Sequence, residues 1–405
     1  MATLAPTRER IPAHVPPELV WDDSVDRFSG ELDDPYVAAA RLHEGPDIVW
    51  ATSATRNNAG WLLTRFDDIQ AAYMDNERFS AREVTDIAKL LGVSWRLNPQ
   101  EIDPPAHLPF RQVLQPWFQP SAVRRLEQSI REVCRSLIDE LGDRRSFDFV
   151  QDFARFVPSR LFLSLMGLPQ DRLEEFLEWE HELIRGATLD ARADAAKTIL
   201  RYLEACVEER RQKPGDDLIS QILAARIDGK PLEHGDIMGM CMVLYGGGLD
   251  TVLGSLGWHM HRIAGDAELQ RTLRDDPSKI VPAVDELFRA YGVVQNRRTV
   301  IADCEFGGIA MKAGDWIVLP TYLASRDPRR FENPHRIDLS RRDRGMTFGT
   351  GIHYCLGIHL ARREVQIVFE EFLPRFPNIR LSPEGGFSYH TVGVWGVDAL
   401  PIVVD

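Results

Sequence analysis

The sequence predicts a mainly α-helical protein with a small β region, built as a single domain over residues 1–405. Three observations carry this expectation. Segments with apolar residues three and four apart recur along most of the chain, whereas alternating apolar runs are few and short. One stretch, 236–263, is apolar nearly all round and contains no proline, as a centrally buried helix requires. No linker, repeat or low-complexity tract interrupts the 405 residues, and 44% hydrophobic with 27% charged residues is the make-up of a folded globular chain.

Taken in order, the opening residues up to Trp21 are charged and proline-rich. They have neither the apolar core of a signal peptide nor a membrane anchor of roughly 20 apolar residues, so a cytoplasmic protein with no membrane partner is expected. Residues 60–64 read as part of an N-terminal strand pair. Residues 123–141 place Leu126, Ile130, Val133, Cys134, Leu137, Ile138 and Leu141 at helical spacing and stop at Gly142. Helices are likewise expected over 171–184 and 193–211, the second running into the turn Lys213-Pro214-Gly215-Asp216. The apolar stretch 236–263 follows, then amphipathic helices over 282–291 and 359–372. Strand signals are confined to 304–306 and 316–319, separated by glycine-containing turns, and to the tail 400–404.

The totals exclude several functions. A net charge of -13 and a pI near 5.4 argue against nucleic acid, whose phosphates need clustered Lys and Arg. Five cysteines (Cys134, Cys206, Cys241, Cys304 and Cys355) are scattered without a CxxC pair, which excludes a disulfide scaffold and a standard zinc site and fits a reducing cytosol.

Chemistry concentrates in three motifs. In FGTGIHYCLG, from Phe348 to Gly357, Gly349 and Gly351 permit left-handed turns, and Gly357 permits close packing after the cysteine. A helix follows directly, so the Cys355 sulfur stands at a helix N-terminus, where unpaired amides stabilise a thiolate. A lone cysteine is otherwise an inert buried hydrophobe. In the long apolar stretch, Gly246-Gly247-Gly248 would cost a helix up to about 1 kcal/mol per glycine, so the three need a reason: close helix packing, or room for a ligand. Asp250 and Thr251 follow, an acid beside an alcohol that could pass protons. Third, Glu286 and Arg289 stand one helical turn apart, a spacing most often found in solvated surface pairs.

Together these motifs resemble the cytochrome P450 family: the Cys loop its haem-binding loop, Glu286 and Arg289 its ExxR pair, and Gly246 to Thr251 its oxygen-activation segment. The resemblance runs from Pro12 to Pro401 and is closest to the bacterial camphor hydroxylases, through stretches such as 209–215, 248–252 and 359–364. It implies the cytochrome P450 fold and haem b, with Cys355 as the ligand of the haem iron. It implies propionate partners at His107 and Arg111 (one face of a helix after Asp103-Pro104-Pro105), Arg298 and His353, with Arg297 a competing candidate. It makes Asp250 and Thr251 the proton-delivery pair. Glu286 and Arg289 become structural, tied to an arginine further along, best placed at Arg336.

The same resemblance implies a monooxygenase using O2 and electrons from a [2Fe–2S] ferredoxin with its reductase, acting as a monomer on a small apolar substrate. Arg111, Arg342, Arg344, Arg362 and Arg363 form the expected ferredoxin-docking patch. Substrate-pocket positions fall at Trp95, Leu97, Val243, Gly246, Val294, Asn296, Gly393 and Val394. Trp95 replaces the tyrosine of camphor hydroxylases, Gly246 a valine, Gly393 an isoleucine and Asn296 an aspartate. These departures point away from camphor toward another terpenoid or a norisoprenoid such as an ionone. Two alternatives remain open at this stage. A peroxygenase would use the same loop but usually lacks the acid–alcohol pair. A haem sensor would need a second strong ligand, which Gly246 to Gly248 does not offer.

Overall fold

In a computed structural model, residues 11–28, 34–55 and 58–405 are described. The opening ten residues, on which the no-signal-peptide reading partly rests, lie outside them. The chain divides into two compact units: Met1–Val84, Glu286–Tyr354 and Tyr389–Trp395 form the first, and Thr85–Asp285, Cys355–Ser388 and Gly396–Asp405 the second.

The first unit is built on a six-stranded mixed sheet. Ile48–Thr55 and Asn58–Leu63 form the antiparallel pair expected near the N-terminus. Trp316–Pro320 lies parallel to Asn58–Leu63 and antiparallel to Gln295–Val300. Leu63, Ile317 and Leu319 bury their side chains with Trp61, Phe79 and Tyr73 in one apolar core. The strand Gln295–Val300 escaped the sequence reading because Asn296-Arg297-Arg298 interrupts any apolar alternation.

The second unit is largely helical. Pro120–Leu141 closes at Gly142, where a positive φ of 60° suits glycine. Helices Leu173–Arg185 and Leu189–Gln212 match the expected segments, and the helix after the Cys loop spans Ile358–Arg375. Phe147, Phe149, Phe153, Phe372 and Phe376 interlock at ring distances of 4.7–6.3 Å. The C-terminal strand Pro401–Val404 lies between Ile379–Leu381 and Ser146–Asp148.

The expected 236–263 helix is present as His234–Gly248 and Asp250–Ala264, parted at Leu249. The interruption falls where three glycines weaken the helix and where the Thr251 hydroxyl donates to the Gly247 carbonyl at 3.2 Å, competing with the backbone ladder. His234–Ala264 is long and apolar enough to cross a membrane, but 67% of its apolar window is buried inside the fold, as in a core helix.

Candidate functional site

Within the second unit, the site is assembled at the start of Ile358–Arg375. Cys355 is half-buried, and burial pushes its thiol up. The backbone N–H groups of Gly357 and Ile358 and the Arg111 guanidinium oppose that rise by favouring the thiolate. Arg111 is on His107–Phe118, one turn beyond His107, so the pair shares a face as the spacing required. His107 is buried, and burial, with Arg111 second, holds its imidazole down at about 4, so it is neutral at pH 7. A Cβ at Gly357 would meet no described atom within 4 Å. The glycine therefore serves no close packing within the protein, contrary to the sequence expectation.

The three glycines of the long helix divide in the same way. A Cβ at Gly248 would stand 2.5 Å from the Phe162 ring, so this glycine exists for helix packing. At Gly246 and Gly247 a Cβ would meet nothing within 4 Å. Val243, Gly246 and Thr251 are half-buried and Gly247 is exposed, and their spacing puts them on one side of the helix. At Gly246 and Gly247 that stripe has room for a methyl-sized group without displacing protein.

Asp250 points elsewhere. Its two carboxylate oxygens accept from Arg185 Nη2 at 2.6 and 2.8 Å, and Asp250 is only 2% exposed. Asp250 and Thr251 are thus neighbours in the chain with separate bonds: the acid is held by arginine, and the alcohol by the Gly247 carbonyl. Glu180, 4% exposed, adds a second buried acid to the Asp250–Arg185 pair. The sequence reading passed over both Arg185 and Glu180. The available signal was periodicity, since Leu173, Phe176, Glu180 and Leu183 form one buried stripe.

Within the first unit, the Gln295–Val300 strand separates two arginines by face. Arg297 stacks on Trp316 at 3.8 Å and donates to the Glu83 carbonyl. Arg298 instead lies 5.5 Å from the Tyr73 ring. Tyr73 also backs the Cys loop: a Cβ at Gly349 would stand 3.7 Å from its ring, and one at Gly351 3.1 Å from its carbonyl oxygen. Both glycines have positive φ, 68° and 71°, as the loop reading anticipated. Arg298, not Arg297, is therefore on the loop's side of the strand. His353 is half-buried in the turn Gly351–His353. Asn296 donates to the Tyr73 hydroxyl at 2.7 Å. Val294, Gly393 and Val394 are half-buried and brought together by the Trp395 N–H, which donates to the Val293 carbonyl at 2.8 Å.

The glutamate–arginine pair is not a surface pair. Arg289 is fully buried and donates to both oxygens of Glu286, at 2.8 and 2.9 Å, and to the Ser325 and Pro334 carbonyls. The arginine completing it is Arg341, whose Nε donates to Glu286 at 3.2 Å. Arg336, the expected partner, exposes its side chain and offers only a backbone carbonyl to Arg289. Arg336 and Arg341 were both available in the stretch. The turns at Asn333 and Asp338 decide between them, because the Asp338 N–H also donates to Glu286 and draws Arg341 inward.

Comparison with known proteins decides the class. The model of the cytochrome P450 family matches residues 182–384. The chain is 36% identical to the probable cytochrome P450 127A1 of Sinorhizobium fredii, over 96% of this chain and 95% of that one. It is also similar to two solved structures of the camphor-type CYP101 group. For CYP101J2 the TM-score is 0.88 at 32% identity, covering 98% of this chain and 99% of that one. For CYP101C1 it is 0.86 at 33% identity, covering 97% and 99%.

The chain belongs to the cytochrome P450 family.

Cytochromes P450 are oxidoreductases, haem-dependent monooxygenases, and the residues present fit their cofactor. A sulfur with two amide donors and a guanidinium suits an anionic axial ligand, and Gly246, Gly247 and Gly357 leave unfilled the space their side chains would take. The structure places two further groups of expected residues. Trp95 packs against Gly235, where a Cβ would stand 2.9 Å from its own Cβ. Gly235 precedes Gly246 on the same helix by about 16 Å at 1.5 Å per residue. Leu97, two residues after Trp95, is buried and donates its N–H to Glu101. Two arginines of the expected docking patch already have partners. Arg362 is ion-paired with Asp285 and Arg363 with Glu127 and Glu370, all partly buried.

Proposed function

We propose that residues 1–405 act as one P450 domain hydroxylating a small apolar terpenoid or norisoprenoid-like substrate. Haem b supplies the oxidising iron, with Cys355 as its thiolate ligand. Arg111, His107, Arg298 and His353 would hold its propionates, arginine by bidentate contacts. The observation that carries the reading is the Cys355 sulfur facing the Gly357 and Ile358 amides and Arg111. Val243 offers apolar contact area in the second unit, Val294 and Val394 do so in the first, and Asn296 keeps its amide on Tyr73. Thr251 holds a hydroxyl beside the open glycine face, and Asp250 holds its carboxylate on Arg185. This pair favours a monooxygenase over a peroxygenase. Electrons come from an acidic [2Fe–2S] ferredoxin with its reductase, to a monomer in the cytosol. Exposed Arg342 and Arg344 remain candidates for the docking contact.

The deciding experiment is the reduced carbonyl spectrum. Cys355→Ser should lose the long-wavelength thiolate Soret band and all oxidation, while Cys134→Ser and Cys241→Ser keep both. An unchanged band in Cys355→Ser would remove the ligand assignment. For the substrate, camphor and an ionone are titrated while the low-to-high-spin Soret shift is followed. A full shift only with camphor would refute the substrate class.

A further inference from the structure

Helix Leu173–Arg185 spends one position of its buried stripe on an acid, Glu180, between Phe176 and Leu183. One oxygen of its carboxyl group is buried without a hydrogen-bond partner among the described residues. Leaving an acceptor in that state is costly, more so if charged, so a purely structural role would favour leucine. The groups around it are Asp250 on Asp250–Ala264, Arg185 on its own helix and Tyr245 on His234–Gly248. Tyr245 gives its hydroxyl to the Phe176 carbonyl at 2.7 Å. Asp398, on Gly396–Ala399, acts on the same Arg185. The cluster therefore sets buried Glu180 and Asp250 against one guanidinium. Burial and the Asp250 charge both hold the Glu180 carboxyl well above the usual carboxylate range.

We propose that Glu180 is a proton-holding residue that acts through Asp250, reloading it between turnovers. The proposal rests on the reading of Asp250 and Thr251 as the proton-delivery pair and extends it by one group. A proton leaves the Glu180 carboxyl oxygen as a bond forms to an Asp250 oxygen. The negative charge passes to Glu180, and no electron moves. Arg185 attracts both acids, so it stabilises either arrangement and never leaves a lone buried charge. Water returns the proton to Glu180 along Arg185, whose side chain is 15% exposed and marks the solvent edge of the cluster.

Glu180→Gln keeps the shape and the neutral form but cannot give up a proton. Infrared difference spectra of the intact holoprotein, titrated in pH, should show a protonated carboxylic acid at neutral pH that disappears in Glu180→Gln. Turnover with surrogate reductant should fall by about tenfold, below the roughly 10²–10⁴-fold worth of a direct proton donor. Its solvent isotope effect should rise, and Glu180→Asp should recover part of the rate. Thermal unfolding checks that the variants are folded. If Glu180→Gln is silent in rate and isotope effect while Asp250→Asn is slow, Glu180 has no such role and the Asp250 reading stands. If both variants are silent, the proton-delivery reading fails and takes this proposal with it.

Discussion

Two buried charge networks, one in each unit, are built from the same residue types to opposite specifications. Around Glu286 every group is matched: two arginines and a backbone N–H converge on one carboxylate, and the spare N–H groups of Arg289 end on carbonyls. Around Asp250 the balance is reversed. Two buried acids share Arg185, and one oxygen of Glu180 finds no partner among the described residues. A satisfied network fixes one geometry, whereas an acid buried without a partner is held from ionising. The first suits a scaffold, and the second suits a place where protons must move.

The largest expected effect tests the scaffold side. Glu286→Gln or Arg289→Lys should cost about 3–5 kcal/mol, because each leaves a buried charge with broken partners. Asp250→Asn should cost less, since Glu180 can ionise once the Asp250 charge is gone and Asp398 also acts on Arg185. Urea unfolding of the three variants measures the contrast. Equal losses would show that the networks do not differ in kind.

Much of this was legible beforehand where a residue type has few uses. FGTGIHYCLG dictated both left-handed glycines and the sulfur at a helix start, and periodicity located the expected helices. Legibility failed where geometry is decided by distant packing. Gly246, Gly247 and Gly248 look alike in the sequence, and only Phe162, far off in the chain, separates them. Arg341 replaced Arg336 because two turns reset the register. Glu180 was lost among the acids of 174–182 that mostly face water.

A second, smaller effect tests what burial alone does to an acid. Glu364 is 3% exposed, and burial is the one cause that raises its carboxyl to about 8. Unfolded, the group ionises near 4.5, so below that pH it is neutral in both states and costs nothing. As pH rises toward 8 the unfolded chain gives up the proton and the folded one does not, so stability falls. At 1.36 kcal/mol per unit the ceiling is about 5 kcal/mol, and relaxation of the site should reduce it to about 1–3. Glu364→Gln should therefore gain stability at pH 8 and little at pH 4.5. A gain independent of pH would show that Glu364 is ionised in the folded protein.

The smallest effect sharpens the contrast at the residues beside Asp250. Gly248→Ala would drive a methyl into the Phe162 ring, 2.5 Å away, and the overpacking should cost about 1–3 kcal/mol. Gly247→Ala meets no described atom within 4 Å and removes a helix-weakening glycine, so it should be neutral or gain up to about 1 kcal/mol. The two variants should then separate again in function. Gly247→Ala places its methyl on the open stripe, one turn before Thr251, and should weaken the ligand-induced spin shift although the protein is no less stable. Gly248→Ala should lose stability first and leave ligand affinity nearly unchanged in the molecules that remain folded. Thermal unfolding and ligand titration of both variants, done on the same samples, give four numbers. If stability and affinity fell together in both, the glycine run would be one packing device, and the open face would have no separate purpose.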